Sequence, residues 1–231
     1  MAEQVQEPVM PASATRVKRT HLVAVMMSGL LLGVFGVLGA ALVGLSHDGT
    51  AARIAANERE ALLHQLRVLV PAEQIDNDML ADAIEVTAPA LLGTTSTRVY
   101  RARNAGEPVA AVLSPVVTQG YNGAIALIVA IRNDGSLAGV RVLTQRETPG
   151  LGDKIEIERS DWVRGFDGRS LGNPADSGWK VKRDGGVFDQ FTGATITPRA
   201  VVRGVKNALD YFNENRTQLF AAPSIVEAPH G

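Results

Sequence analysis

The sequence predicts an α+β fold: a single N-terminal transmembrane helix followed by a domain with a twisted, mainly antiparallel sheet packed by helices. Three observations predict it. Residues 22–45 form a 24-residue run without a charged side chain. At about 1.5 Å per residue such a run spans about 36 Å, enough to cross a hydrocarbon core of about 30 Å with some tilt. From Thr97 onward the apolar spacing changes to that of strands, with Asp134-Gly135 marking a hairpin between two apolar runs. Finally, residues 198–215 place Val201, Val205, Leu209 and Phe212 on one helical face, suited to covering a sheet.

Taken in order, residues 1–15 are aperiodic and contain Pro, Ala and Gln, which reads as an unstructured tail. Arg16, Lys18 and Arg19 precede the apolar run, whereas the first charges after it are Asp48 and Arg53. That asymmetry places the N-terminus in the cytoplasm and the larger C-terminal part across the inner membrane, in the periplasm. A cleaved signal peptide is the competing reading, but the run far exceeds its usual apolar core of about 7–15 residues, so an uncleaved anchor is preferred. Gly29, Gly33, Gly36, Gly39 and Gly44 would let a helix of a partner subunit pack closely. Residues 51–70 read as a stalk helix with Ile54, Leu62, Leu66 and Leu69 on its apolar face and Pro71 at its end. Residues 76–86 are expected to add a helical turn or two.

Residues 98–103 and 108–114 flank Asn104-Ala105-Gly106-Glu107, a turn sequence. The run 123–132 is apolar throughout, so it is expected as a central strand covered on both faces, returning through Asn133-Asp134-Gly135-Ser136 into 137–144. Residues 179–183 with Asp184-Gly185-Gly186 read as another strand and turn. Pro223 and Pro229 suggest a loose tail over 216–231, whose order the sequence leaves open. The division expected is a cytoplasmic tail (1–20), a transmembrane helix (21–45), a stalk (46–96), the main domain (97–215) and a C-terminal tail.

Composition excludes several classes. The chain has no cysteine, so disulfides, thiolate metal sites and Cys-ligated iron–sulfur clusters are ruled out. A net charge of −1 without a basic patch argues against nucleic acid. His21, His47, His64 and His230 are scattered, which suggests neither a metal site nor a catalytic triad. Glu156, Glu158 and Asp161 read as a solvated face rather than paired acid–base groups, and Trp162, Phe166 and Trp179 as core or pocket wall.

Two stretches remain. Asp189-Gln190-Phe191-Thr192-Gly193-Ala194-Thr195 is a hydroxyl-rich elbow running into the last helix, with Thr197 as its expected N-cap and Pro198 at its first position. Unpaired N–H groups there, with Arg199 and Arg203 nearby, would favour a bound anion such as phosphate. The second, Glu147-Thr148-Pro149-Gly150-Leu151-Gly152, is a tight loop after a strand. Its N–H groups are candidates to bond a ring's carbonyls, and Leu151 to cover an aromatic ring.

The elbow resembles the Asp-x-x-Ser/Thr-Gly-Ala-Thr motif of proteins that carry covalent FMN, matching it at every specified position. Together with Gly120-Tyr121-Asn122-Gly123 and the Glu147–Gly152 loop, in this order, residues 97–215 resemble an FMN-binding domain shared by two kinds of protein. These are the G subunit of the Rnf (or Rsx) electron-transport complex and the C subunit of the sodium-pumping NADH:quinone oxidoreductase. The short chain and compact link between anchor and domain favour the Rnf branch. The resemblance implies FMN joined through its phosphate to Thr195 by a flavin transferase that uses FAD. Thr192, Gly193 and Ala194 would shape the elbow, with Thr197 a further hydrogen-bond donor and Asp189 serving transferase recognition. Glu147, Thr148, Gly150 and Leu151 would line the ring, while Lys180 and Lys182 read as solvated rather than as counter-charges to it. No catalytic residue is implied. The role implied is electron relay in an ion-translocating ferredoxin:NAD oxidoreductase, among other membrane subunits. The alternatives are a flavoprotein of the sodium-pumping kind, a non-redox assembly or sensing module, or a regulator; regulators usually carry further spans and cysteine clusters.

Overall fold

The computed structural model describes residues 13–225. Outside them lie the first twelve residues of the expected tail and, at the other end, Pro229 and His230. The side chains of Arg16, Lys18, Arg19, His21, Leu22, Leu45, His47 and Asp48 are likewise outside the described set. The chain divides into two compact units, Met1–Glu60 and Ala61–Gly231.

The first unit is helical. Helix α1, Ser13–Leu69, is continuous, so residues 46–50, between the expected anchor and the stalk helix at 51–70, are helical as well. Residues 46–50 hold one glycine and no proline, and a single interior Gly costs a helix only about 1 kcal/mol, too little to end it. Within α1, Val23–Gly44 is long and apolar enough to cross a membrane, with a mean hydropathy of 2.2 and none of its most apolar window buried. A helix apolar on all sides and covered by nothing in its own unit suits a lipid environment. Ile54, expected on a buried face, is exposed.

The second unit is built on an antiparallel sheet. Its strands are β1 (Ala83–Val86), β2 (Thr97–Asn104), β3 (Glu107–Leu113), β4 (Val116–Val117), β5 (Ile125–Arg132) and β6 (Leu137–Thr144). β1 pairs β2 and β2 pairs β3; β3 and the short β4 then follow one another along one edge of β5, and β6 takes its other edge. The expected helical turns at 76–86 are corrected by β1. Ile84 and Val86 alternate with Glu85 over four residues, a strand too short to declare its period in sequence.

β5 is the central strand, covered on both faces as expected. Ile125, Leu127, Val129 and Ile131 pack into one core with Val201, Val205, Leu209 and Phe212 of helix α3 (Ile196–Ala221). Ile128 and Ala130 face the opposite core, which includes Leu66 and Leu69 from the last turns of α1. A one-turn helix, α2 (Pro89–Leu92), packs against α3.

Residues 179–183 do not form the expected strand. Val181 makes one isolated parallel bridge to Phe188, and Lys182–Asp184 is a 3-10 turn. The segment instead buries Trp179 and Val181 beside Phe166 and Phe188, whose rings stack at 4.6 Å. Trp162 meets Phe191 edge-on at 5.2 Å, and its indole N–H donates to the Asp189 carbonyl at 2.7 Å. The base of the elbow is thus pinned from behind.

α3 is longer than expected at both ends, so its C-terminus does not stop at Asn215. Its last carbonyls meet two arginines of β2. Buried Arg101 donates to Leu219 O at 3.0 Å and Ala222 O at 2.5 Å, and Arg103 donates to Phe220 O at 2.6 Å. Both guanidinium groups also pair with Asp82, which accepts from the Ser224 hydroxyl. Cations at a helix C-terminus complement its dipole and satisfy its orphan carbonyls. The expected loose tail is therefore tied down through Ile225, whose N–H donates to Ala83 O at 2.7 Å. Burial pushes the Asp82 carboxyl up, but the bonds from Arg103, Ser224 and Arg101 outweigh it and hold the group below its ordinary value.

Candidate functional site

At the other end of α3 three loops converge on a pocket of about 280 Å³. Tyr121 comes from the loop before β5, Glu147, Thr148, Leu151 and Gly152 from the loop after β6, and residues 193–197 from the elbow and first turn of α3. Of the residues predicted from sequence, Thr195, Gly193, Ala194, Thr197, Glu147, Thr148 and Leu151 line this pocket; Thr192, Gly150 and Asp189 do not.

The elbow is a tight turn. The Ala194 N–H donates to Phe191 O at 3.1 Å, with Gly193 at φ 81°. That left-handed backbone favours glycine, which has no Cβ to clash. Thr195 follows at the N-cap position with helical backbone angles, and its side chain makes no capping bond. Its half-buried hydroxyl lines the pocket and has no hydrogen-bond partner among the described residues.

Thr197 is not the N-cap. The helix begins at Ile196, two residues before the expected start, because Pro198 is as acceptable at the third helical position as at the first: both N–H groups lack an intrahelical partner. Fully buried Thr197 instead donates its hydroxyl to Glu147 Oε2 at 2.5 Å. Glu147 Oε1 accepts the Asn122 N–H at 3.1 Å. The Glu147 carboxylate is thus turned into the protein, joining all three loops, and its contribution to the pocket is to the wall. Leu151 N–H and Gly152 N–H, expected as donors to a ring, both donate to Thr148 O, at 3.1 and 3.0 Å.

The cations also differ from expectation. Arg199 forms a two-pronged pair with Asp184 at 2.5 and 2.6 Å, and Arg203 donates to Gln119. These bonds hold the Asp184 carboxyl below, and the Arg199 guanidinium above, their ordinary values. Lys182 pairs with Asp189 at 2.6 Å, both exposed. Among the described residues, Glu147 is therefore the one charged side chain that lines the pocket.

Tyr121, Gly152 and Ile196 were missed as site residues. Tyr121 and Ile196 are exposed apolar side chains at the pocket, which a sequence cannot distinguish from ordinary surface residues. Gly152 leaves room for its neighbours: a Cβ there would stand 2.8 Å from Glu147 Cβ and 2.9 Å from Thr197 Oγ1.

These features fit a flavin phosphate at Thr195. Among the described residues, the site offers a hydroxyl without a partner and the unpaired N–H groups of a helix start, and a Cβ placed on Gly193 would meet only Leu151, at 3.7 Å. An apolar rim lies alongside.

Comparison with known proteins supplies the cofactor class and the family. Residues 120–210 match the family described as FMN-binding domain, which sets the class of the sheet, elbow and pocket. Residues 23–69 match the family described as RnfG N-terminal region. The chain is 50% identical over 199 residues to the G subunit of the ion-translocating oxidoreductase complex of Pseudomonas aeruginosa, covering 86% of this chain and 93% of that one. It is 47% identical over 196 residues to the corresponding G subunit of Pseudoalteromonas atlantica, covering 84% and 91%. Against that of Vibrio cholerae it is 45% identical over 207 residues, covering 89% and 99%. The chain belongs to the family of G subunits of ion-translocating oxidoreductase complexes.

Proposed function

We propose that this chain relays electrons through FMN esterified to Thr195, within an Rnf-type ion-translocating oxidoreductase complex. As a member of the G-subunit family with an FMN-binding domain, it is a flavoprotein subunit of such a complex and an electron-transfer part of a translocase. The observation that carries the attachment site is the Thr195 hydroxyl: it stands at the start of α3, in the pocket wall, with neither a capping bond nor any other partner among the described residues. FMN, when bound, supplies one- and two-electron redox chemistry.

The chain's own residues attach, orient and shield. Thr195 holds the phosphate, and the Ile196 and Thr197 N–H groups face its charge. The turn through Thr192, Gly193 and Ala194 keeps the approach open. Thr148 and Leu151, joined by Tyr121 and Ile196, flank the ring, and Gly150 at φ 76° gives their loop its turn. Asp189, exposed on the elbow, serves the transferase that installs the flavin. The apolar helix anchors the chain in the inner membrane among partner subunits, with the N-terminus cytoplasmic and residues 97–215, the flavin domain, in the periplasm. Residues 1–20, 21–45, 46–96 and the segment after 215 then serve as tail, span, stalk and terminal segment.

The test is direct. Full-length protein from a host with the transferase, run on a denaturing gel, should fluoresce under ultraviolet light. Mass spectrometry should place one FMN, less water, on Thr195 and on no other hydroxyl. A dark wild-type band and an unmodified mass would refute the attachment.

A further inference from the structure

We infer that the Glu147 carboxylate keeps the flavin's reduction potential low, by setting a buried negative charge, with no counter-cation among the described residues, into the pocket wall. The inference rests on the FMN reading above and extends it to the control of the cofactor. Glu147 is 4% exposed. Its two carboxylate partners are neutral, the Asn122 N–H at 3.1 Å and the Thr197 hydroxyl at 2.5 Å. The place is built for it: a Cβ on Gly120 would lie 2.7 Å from its Oε1, and one on Gly152 3.0 Å from its Oε2. Among the described residues no lysine or arginine forms an ion pair with it: Lys182 is engaged by Asp189, Arg199 by Asp184 and Arg203 by Gln119, and Arg146, next to it in the chain, is exposed. What sustains the charge is the pair of donated hydrogen bonds and the positive end of α3.

The electrostatic consequence has a fixed sign. Reduction brings one electron to the bound ring from an external donor. Unless a proton accompanies it, the ring becomes more negative by one unit. A like charge nearby, away from bulk water, opposes that change more strongly than it would in solvent. Glu147 therefore disfavours the reduced form and makes the site a strong reductant. A loop latch with no electrical role would tie the same three loops together and leave the potential unmoved.

Glu147→Gln separates the two roles, because glutamine keeps the shape and removes the charge. Full-length protein is titrated potentiometrically while flavin absorbance is followed. The reduced-to-oxidised ratio for the first electron, at fixed potential, should rise about tenfold, equal to about 59 mV for one electron. An unchanged or lowered ratio overturns the inference. Thr197→Val keeps the charge and deletes a hydrogen bond that offsets it, so its ratio should fall; a rise would equally overturn the inference, and this variant carries the test if Glu147→Gln does not fold. The same samples on a denaturing gel report the ester independently. A wild-type band without fluorescence counts against attachment at Thr195, while the charge effect remains measurable on flavin held without an ester.

Discussion

The two ends of α3 are built on opposite plans. At its C-terminus nearly every group is answered: Arg101 and Arg103 take three terminal carbonyls, and Asp82 and Ser224 take the arginines. At its N-terminus the cap hydroxyl is unbonded, the first N–H groups have no helical partner, and the cations expected nearby have turned away. One end is saturated and holds the helix against the sheet. The other is left open where a ligand can complete it. Stability and function are thus separated along one helix.

That separation can be broken experimentally. The largest expected effect is at the open end. Thr195→Ala should abolish flavin attachment, read as loss of in-gel fluorescence, yet leave the unfolding temperature of the flavin-free chain unchanged, because the hydroxyl bonds to none of the described residues. At the saturated end, Arg101→Ala should cost about 3–5 kcal/mol in urea unfolding, since it strips a buried partner from Asp82 and orphans two carbonyls. Flavin attachment should survive it under conditions where the chain stays folded.

Gly152→Ala lies between these extremes. Its methyl would press on Glu147 and Thr197, so a loss of about 1–3 kcal/mol is expected, together with reduced flavin loading. Acid should expose the clamp. Because the Asp82 carboxyl is held below its unfolded value of about 3.9, its contribution is present above that pH and is lost as pH falls through the folded value. Asp82→Asn should therefore flatten the acid limb of the urea midpoint plotted against pH. The smallest effect is expected from Arg199→Gln: with Arg199 exposed and paired to Asp184, flavin loading should stay within about twofold of wild type, as deletion of a surface pair predicts.

Much of this arrangement was legible in the sequence because it rests on local signals. Asp134-Gly135 announced its hairpin, the unbroken apolar run announced β5 as a doubly covered strand, and Val201, Val205, Leu209 and Phe212 announced the buried face of α3. The elbow was readable because its Gly, Ala and Thr order is tied to local backbone geometry. What could not be read depends on distant partners. Arg101, on a strand whose residues otherwise look half solvated, is buried because a helix end more than a hundred residues later supplies its acceptors. Arg199 and Arg203 were expected at the anion site by proximity in sequence, but Asp184, fifteen residues earlier, claims the first and Gln119, eighty-four residues earlier, the second. Thr197 and Glu147 were each noticed, and their bond across fifty residues was not.

The hydrogen bond that the Ile225 N–H donates to the Ala83 carbonyl carries a practical consequence. Among the described residues β1 pairs with one neighbouring strand, so its outer side is a template for a second molecule. Ile225 occupies part of that template. A version shortened before Ser224 would lose this cover and one member of the Asp82 cluster together, and self-association along the bared rim is the failure to watch for in purification.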